Sequence, residues 1–239
     1  MRSLRDVGSE EGRPLVFGGP SLSRVPQSWL SRCEVRPPAR RDDLFALLDR
    51  PAATVVLVDG LFGGSMAVTP LECAQLISRG WTVVGAGSIG ALRASELWQT
   101  GMIGVGTIYQ LMRLGEIDAD TDVAVSYDPD TWSEISVSIV QLRALLGALP
   151  HGLASPPIDE LLESARSIYW LERSWSHVWQ AWARIGMTSD TLNRAKFLAS
   201  DDRIHPKKRD AVEAIRLVTA TRWIKFLDEE VSWLTDRSL

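Results

Sequence analysis

Two cysteines, three histidines and four lysines are all that 239 residues contain of these types, and each shortage closes off a kind of chemistry. Cys33 and Cys73 have no second Cys or His at metal-ligand spacing, so no metal site is expected. Such sparse cysteine use fits a reducing, cytoplasmic setting. His151, His177 and His205 all lie in the second half of the chain, outside the segments that read as a sheet, so a Ser-His-Asp triad is not evident. There is no G-x-G-x-x-G and no Walker lysine, which leaves a nucleotide-binding reading weak and no cofactor implied. No run approaches the ~18 apolar residues of a membrane span, and the first residues lack the apolar core of a signal peptide. A net charge of −4 provides no global positive field for nucleic acid or an anionic membrane.

What is present is an ordinary globular composition, 45% hydrophobic and 23% charged, enough for one large domain or two small ones. Residues 1–13 are polar and aperiodic and read as a loose arm. Leu15-Val16-Phe17 running into Gly18-Gly19-Pro20-Ser21 reads as a buried strand entering a loop. Ala53–Val58 and Trp81–Val84 read likewise, feeding Asp59-Gly60 and Gly85-Ala86-Gly87-Ser88. Helical segments fall between them at Asp43–Asp49, Pro70–Ser78 and Ile89–Trp98, followed by a helix near Thr107–Leu114 and a strand near Val123–Ser126. Strand alternating with helix predicts an α/β fold with a mostly parallel sheet flanked by helices.

From Ser133 the pattern is helical, giving three expected regions: the arm at 1–13, an α/β core at 14–130 and a helical Trp-rich extension at 131–239. A helix over Ser133–Leu149, a linker at Pro150–Pro157, a long helix at Ile158–Ile185, a connector at Asp190–Ser200 and a last helix at Lys207–Leu234 are expected. The two long helices carry apolar stripes, Leu171, Trp175, Val178, Trp182 and Ile185 on one and Leu217, Ala220, Trp223, Leu227, Val231 and Leu234 on the other, which suggests that they pack antiparallel. Six of the ten tryptophans sit in these helices, either as core or as a partner-binding face.

Ala86-Gly87-Ser88-Ile89-Gly90 occupies a strand-to-helix junction. That is where a nucleophile elbow places its serine, where backbone N–H groups bind phosphate, and where a serine simply caps a helix. Asp59 stands at the carboxyl end of a parallel strand, as a functional group in the crevice or as a loop cap. Arg93 and Glu96 can pair at i, i+3, and Arg93 can alternatively hold an oxyanion or carboxylate, never act as a base.

Several phrases taken together resemble the TfuA family. Phe17-Gly18-Gly19-Pro20-Ser21-Leu22 is similar to its G-P-S-L, Pro37-Pro38-Ala39-Arg40-Arg41-Asp42-Asp43-Leu44 to its P-P-A-x-x-G-D-L with Asp42 in the place of glycine, and Val58-Asp59-Gly60-Leu61-Phe62 to its I-D-G-x-F. The closest likeness is Gly85–Leu97, similar to G-A-x-S-M-G-A-L-R-A-x-E-L, continued by Gly101–Gly106. The resemblance spans roughly residues 15–127. It implies a cytoplasmic accessory to a YcaO enzyme in thioamidation of a peptide backbone, part of peptide natural product biosynthesis. The accessory would hydrolyse the C-terminal thiocarboxylate of a small ubiquitin-like sulfur carrier to release sulfide for the precursor peptide.

By that resemblance Ser88 is the nucleophile; Arg93, Glu72 and Asp59 are expected to complete the catalytic set, and Gly19, Ser21, Gly87, Gly90 and Glu96 to bind substrate. The family pairs its serine with a lysine from an H-K-E phrase, where this chain reads Thr69-Pro70-Leu71-Glu72. It also carries a histidine where this chain has Tyr127. No lysine precedes Lys196. Three readings follow: catalysis with another base (Asp59, Glu72 or a lysine brought in by the helices), a non-catalytic module presenting peptide or sulfur carrier to YcaO, and a serine hydrolase of other specificity.

Overall fold

β-branched residues in short runs build the centre of the molecule, as a computed structural model of the chain shows; it describes residues 12–63, 66–117, 119–150 and 156–220. Five parallel strands, β1 (Leu15–Phe17), β2 (Glu34–Arg36), β3 (Thr54–Leu57), β4 (Thr82–Ala86) and β5 (Ile103–Val105), are ordered β2-β1-β3-β4-β5. That is a doubly wound order, with its switch point between β1 and β3. The helices of the described residues are α1 (Gln27–Leu30), α2 (Pro70–Ser78), α3 (Ile89–Leu97), α4 (Thr107–Arg113), α5 (Ile139–Gly147), α6 (Ile158–Arg166), α7 (Trp175–Arg184), α8 (Ser189–Ala199) and α9 (Pro206–Thr219). The α/β class with a parallel sheet is as expected.

Alternation along the strands loads both faces. Leu15, Val55, Leu57 and Val83 pack with Leu76, Ile89 and Ala94 of α2 and α3. Val16, Val56, Val58, Val84 and Val105 pack with Ala211, Ala214, Ile215 and Val218 of α9. The described part of the last helix therefore covers the sheet, and most of the stripe expected to pair with the other long helix lies beyond residue 220, outside the described residues. The small residues of α9 let it approach the sheet closely, and their burial is the dominant favourable term. Asp210 of α9 also accepts from the N–H groups of Thr107 and Ile108, at 2.9 Å each, and so caps α4. Burial pushes its carboxyl up to about 6.

Several boundaries differ from expectation. The strand expected at Val123–Ser126 is absent: a 3-10 turn covers Asp120–Asp122, and Val123 joins α3, α4 and α5 in a separate apolar cluster. β5 takes the sheet edge, and β2 is a further strand, its Glu34 and Arg36 too polar to announce a buried one. Asp43–Asp49 shortens to a 3-10 turn at Phe45–Leu47. The helix expected from Ser133 begins at Ile139, because Glu134 bridges to Tyr127 in extended pairing.

The helix expected over Ile158–Ile185 is two. The buried Arg173 guanidinium donates to the carbonyls of Ala165, Val137 and Ile168, closing off α6, and the Ser174 hydroxyl accepts from His177 N to start α7. The expected connector is α8, and α5 to α8 enclose their own core around Leu142, Leu161, Val178 and Trp182. Trp182 is wholly buried with Nε1 donating to Leu161 O at 2.9 Å. Trp175 and Trp179 stack at 4.8 Å against the same core. Nearly all of the arm, most of the linker and residues 221–239, including Trp223, Leu227, Val231 and Leu234, lie outside the described residues.

Candidate functional site

The carboxyl ends of all five strands open on one edge, where doubly wound sheets place their ligands. At the end of β4 the chain turns through Gly87, whose φ of +71° suits a residue without Cβ, and enters α3 at Ile89. Ser88 N–H donates to Ala86 O at 2.9 Å and to Val58 O at 3.3 Å, and Gly90 N–H shares Val58 O at 3.3 Å. A side chain on Gly90 would strike Leu57 O at 1.7 Å, so this glycine sets how tightly α3 seats on the sheet.

Ser88 is 3% exposed. Its hydroxyl does not cap α3, which sets aside the capping reading, and it makes no hydrogen bond among the described residues. With the N–H of Gly90 taken, that of Ile89 is the first-turn donor next to Ser88. The elbow thus presents a hydroxyl with an adjacent backbone donor, the parts from which acyl-transfer sites are made.

Against the elbow lies the start of α9. The Lys207 carbonyl oxygen stands 3.4 Å from where a Cβ on Gly87 would be. Lys207 is 1% exposed and its Nζ lies 3.2 Å from Glu134 Oε1, an ion pair without the alignment of a hydrogen bond. His205 Nε2 lies 2.9 Å from Glu134 Oε2. Burial alone would raise the Glu134 carboxyl, but the Lys207 ammonium and His205 outweigh it and hold it down to about 2. A lysine of the helical part thus lies against the elbow through its backbone, with its Nζ beside Glu134 and no hydrogen bond to Ser88. Glu134 and His205 had no signal of their own. Lys207 had one, as a rare lysine opening a helix whose stripe of Ala211, Ala214 and Val218 is small enough for close packing.

The remaining predicted residues fall into three groups. Asp59 is committed to the loop after β1: Oδ2 accepts from Gly19 N at 2.8 Å and Ser21 N at 3.0 Å, and Oδ1 accepts from Ser21 Oγ at 2.6 Å. Gly19 and Ser21 are thereby occupied too. Over them sits Trp132, in left-handed backbone at φ +57°, its ring 2.8 Å from a Cβ placed on Gly19 and 5.6 Å from the Tyr127 ring. Burial first, then the Asp59 charge, raises the Tyr127 hydroxyl.

Glu72 is fully buried at the start of α2, where it forms a capping box with Thr69: Oε1 accepts from Thr69 N at 2.8 Å, and Glu72 N–H donates to the Thr69 hydroxyl. It is a cap, away from the elbow. Arg93 and Glu96 pair at 2.7 Å, and Arg93 Nε donates to Val68 O at 2.7 Å. Arg93 borders a cleft of about 240 Å³ that begins beside Ser88 at Ile89 and is lined also by Arg41, Phe62, Val68 and Leu92. Both cysteines are buried and free, with thiols pushed up to about 11 and about 12 chiefly by burial, which makes them poor nucleophiles. Among the described residues no His, Cys, Asp and Glu cluster could hold a metal, and no helix is long and apolar enough to cross a membrane.

A doubly wound parallel sheet with a serine-bearing strand-to-helix turn at its carboxyl edge defines an α/β protein. Residues 59–174 match the TfuA-like protein family, and the chain belongs to that family, which accompanies YcaO enzymes. An accessory role in a YcaO system is therefore its general function. The match takes in Asp59, the elbow and Glu134, runs past residue 127 into the helical part through Ser174, and leaves out α9 with Lys207. No curated protein matches the chain.

Proposed function

We propose that this protein releases sulfide from the thiocarboxylated C-terminus of a small sulfur-carrier protein for a YcaO enzyme that thioamidates a precursor peptide. The observation that carries this reading is the Ser88 hydroxyl, buried at a strand-to-helix elbow and bonded to nothing among the described residues. Ser88 Oγ attacks the thioacyl carbon and gives up its proton, the developing oxyanion meets the Ile89 N–H, and the C–S bond breaks to expel hydrosulfide. Water then cleaves the seryl ester and returns the carrier with a carboxylate. Arg93, on the wall of the adjoining cleft, orients the incoming thiocarboxylate, with Glu96 steadying the guanidinium. Lys207, whose backbone rests against the elbow, can take the Ser88 proton only as the free amine, after it has left Glu134 and given its own proton to solvent.

Thiocarboxylated carrier incubated with the protein should yield sulfide, and Ser88→Ala should abolish it. Equal sulfide from Ser88→Ala would end the nucleophile assignment. One observation favours a second reading: Lys207 Nζ is engaged by Glu134, leaving Ser88 with no base bonded to it. In that reading the protein presents peptide or carrier to the YcaO enzyme without hydrolysis, and the wild type gives no sulfide above background.

A further inference from the structure

At the foot of α9, between α5, α7 and α8, lies a small, partly open cavity of about 10 Å³ lined by Gln141, Leu145, Trp175, Ile204 and His205 together with Asp201 and Asp202. That volume holds one water molecule and nothing larger. Two polar atoms of its lining residues are buried and have no hydrogen-bond partner among the described residues, Gln141 Oε1 and His205 Nδ1. The two carboxylates are engaged elsewhere, Asp201 by Arg203 at 2.7 Å and Asp202 by Lys208 at 2.9 Å.

The chemistry of these two atoms follows from their neighbours. Glu134 is ionised between Lys207 and His205 and can only accept. The His205 Nε2 that lies 2.9 Å from it must therefore carry the proton, and in a neutral imidazole the other nitrogen, Nδ1, is then an acceptor. Gln141 Oε1 is an acceptor as well. Two buried acceptors on residues that line one cavity cannot satisfy each other, and a donor placed between them would satisfy both.

We infer that this cavity binds a single water molecule that donates one hydrogen to His205 Nδ1 and the other to Gln141 Oε1. The water completes a buried polar chain from Gln141 in α5 through His205 and Glu134 to Lys207, whose backbone rests on the Gly87-Ser88 elbow. Gln141 is thus a positioning residue for His205, reaching it through solvent. The inference stands on this geometry and does not depend on the reaction at Ser88.

The test is a long-range ¹H–¹⁵N correlation spectrum of the His205 ring in the labelled full-length protein at neutral pH. The expected result is a ring protonated at Nε2 with a hydrogen-bonded Nδ1. In Gln141→Met, which keeps the length but removes the acceptor, Nδ1 should move downfield toward its unbonded position while Nε2 stays put. Gln141→Asn, with its amide drawn back by one methylene, should give the same displacement should the Met variant fail to fold. A wild-type ring protonated at Nδ1, or an Nδ1 resonance indifferent to both substitutions, would overturn the inference. So would an Nδ1 resonance that follows the ammonium or sodium concentration, since the occupant would then be a cation.

Discussion

Two crevices at the same sheet edge use serine in opposite ways. After β1, Ser21 spends both its hydroxyl and its N–H on Asp59, and Asp59 spends both oxygens on that loop. After β4, Ser88 keeps its hydroxyl uncommitted and the surrounding turn is held by backbone bonds instead. A polar group whose bonding capacity is consumed inside the fold stabilises it, and one left open is available to a ligand. By this measure Asp59, Gly19 and Ser21 maintain shape, while Ser88 keeps a hydroxyl open to a ligand.

The most direct way to break the comparison is to delete each serine. Ser88→Ala should cost at least about 10³-fold in sulfide release, as loss of a nucleophile does, with the thermal midpoint unchanged. Ser21→Ala should do the reverse, leaving residual activity while lowering stability. Next in size is the ion cluster at the elbow. Glu134→Ala strands a buried ammonium, and urea unfolding should show a loss of about 3–5 kcal/mol.

The acid dependence of the same cluster has a definite sign. Glu134 ionises more readily in the folded chain, at about 2 against 4.5 unfolded, so its stabilising contribution is complete above about pH 4.5 and is lost as pH falls toward 2. Wild-type stability should fall through that window, and Glu134→Gln should flatten that part of the profile. Asp59→Asn should cost about 1–3 kcal/mol, because the charge-assisted bonds from Gly19 and Ser21 become neutral ones. Smallest of all, Asp42→Gly should be neutral or stabilising by up to about 1 kcal/mol, as judged by the shift of the urea midpoint.

That last residue shows what a sequence can disclose. Asp42 stands where the family resemblance has glycine, and its φ is +72°. The departure was legible as a turn position, since Asp tolerates left-handed backbone better than most residues. The β3 and β4 runs, the start of α2 at Pro70 and the elbow itself were equally plain, because each is a local pattern. The split between α6 and α7 was half visible: Ser174 is an ordinary cap, yet the reach of Arg173 back to Ala165 and Ile168 depends on the folded path. Lys207 was legible as a rare lysine opening a helix with a small-residue stripe, but its place beside Gly87 was not. Their proximity is fixed by α9 lying across the second face of the sheet, a packing that no nearby residue encodes.

The cap that Asp210 places on α4 ties residues more than 100 positions apart, and this bears on how the chain is made. The last strand ends at Val105, yet one sheet face, until then flanked by Leu22, Val25, Trp29 and Leu30, stays incompletely covered until Val218 has been synthesised. At ~5–20 residues per second that is roughly 6–23 s during which part of an apolar sheet face and the open start of α4 meet solvent uncovered. The helical middle of the chain, which folds around its own core, emerges in that interval, so the nascent protein holds a finished helical half while its sheet still waits for its cover.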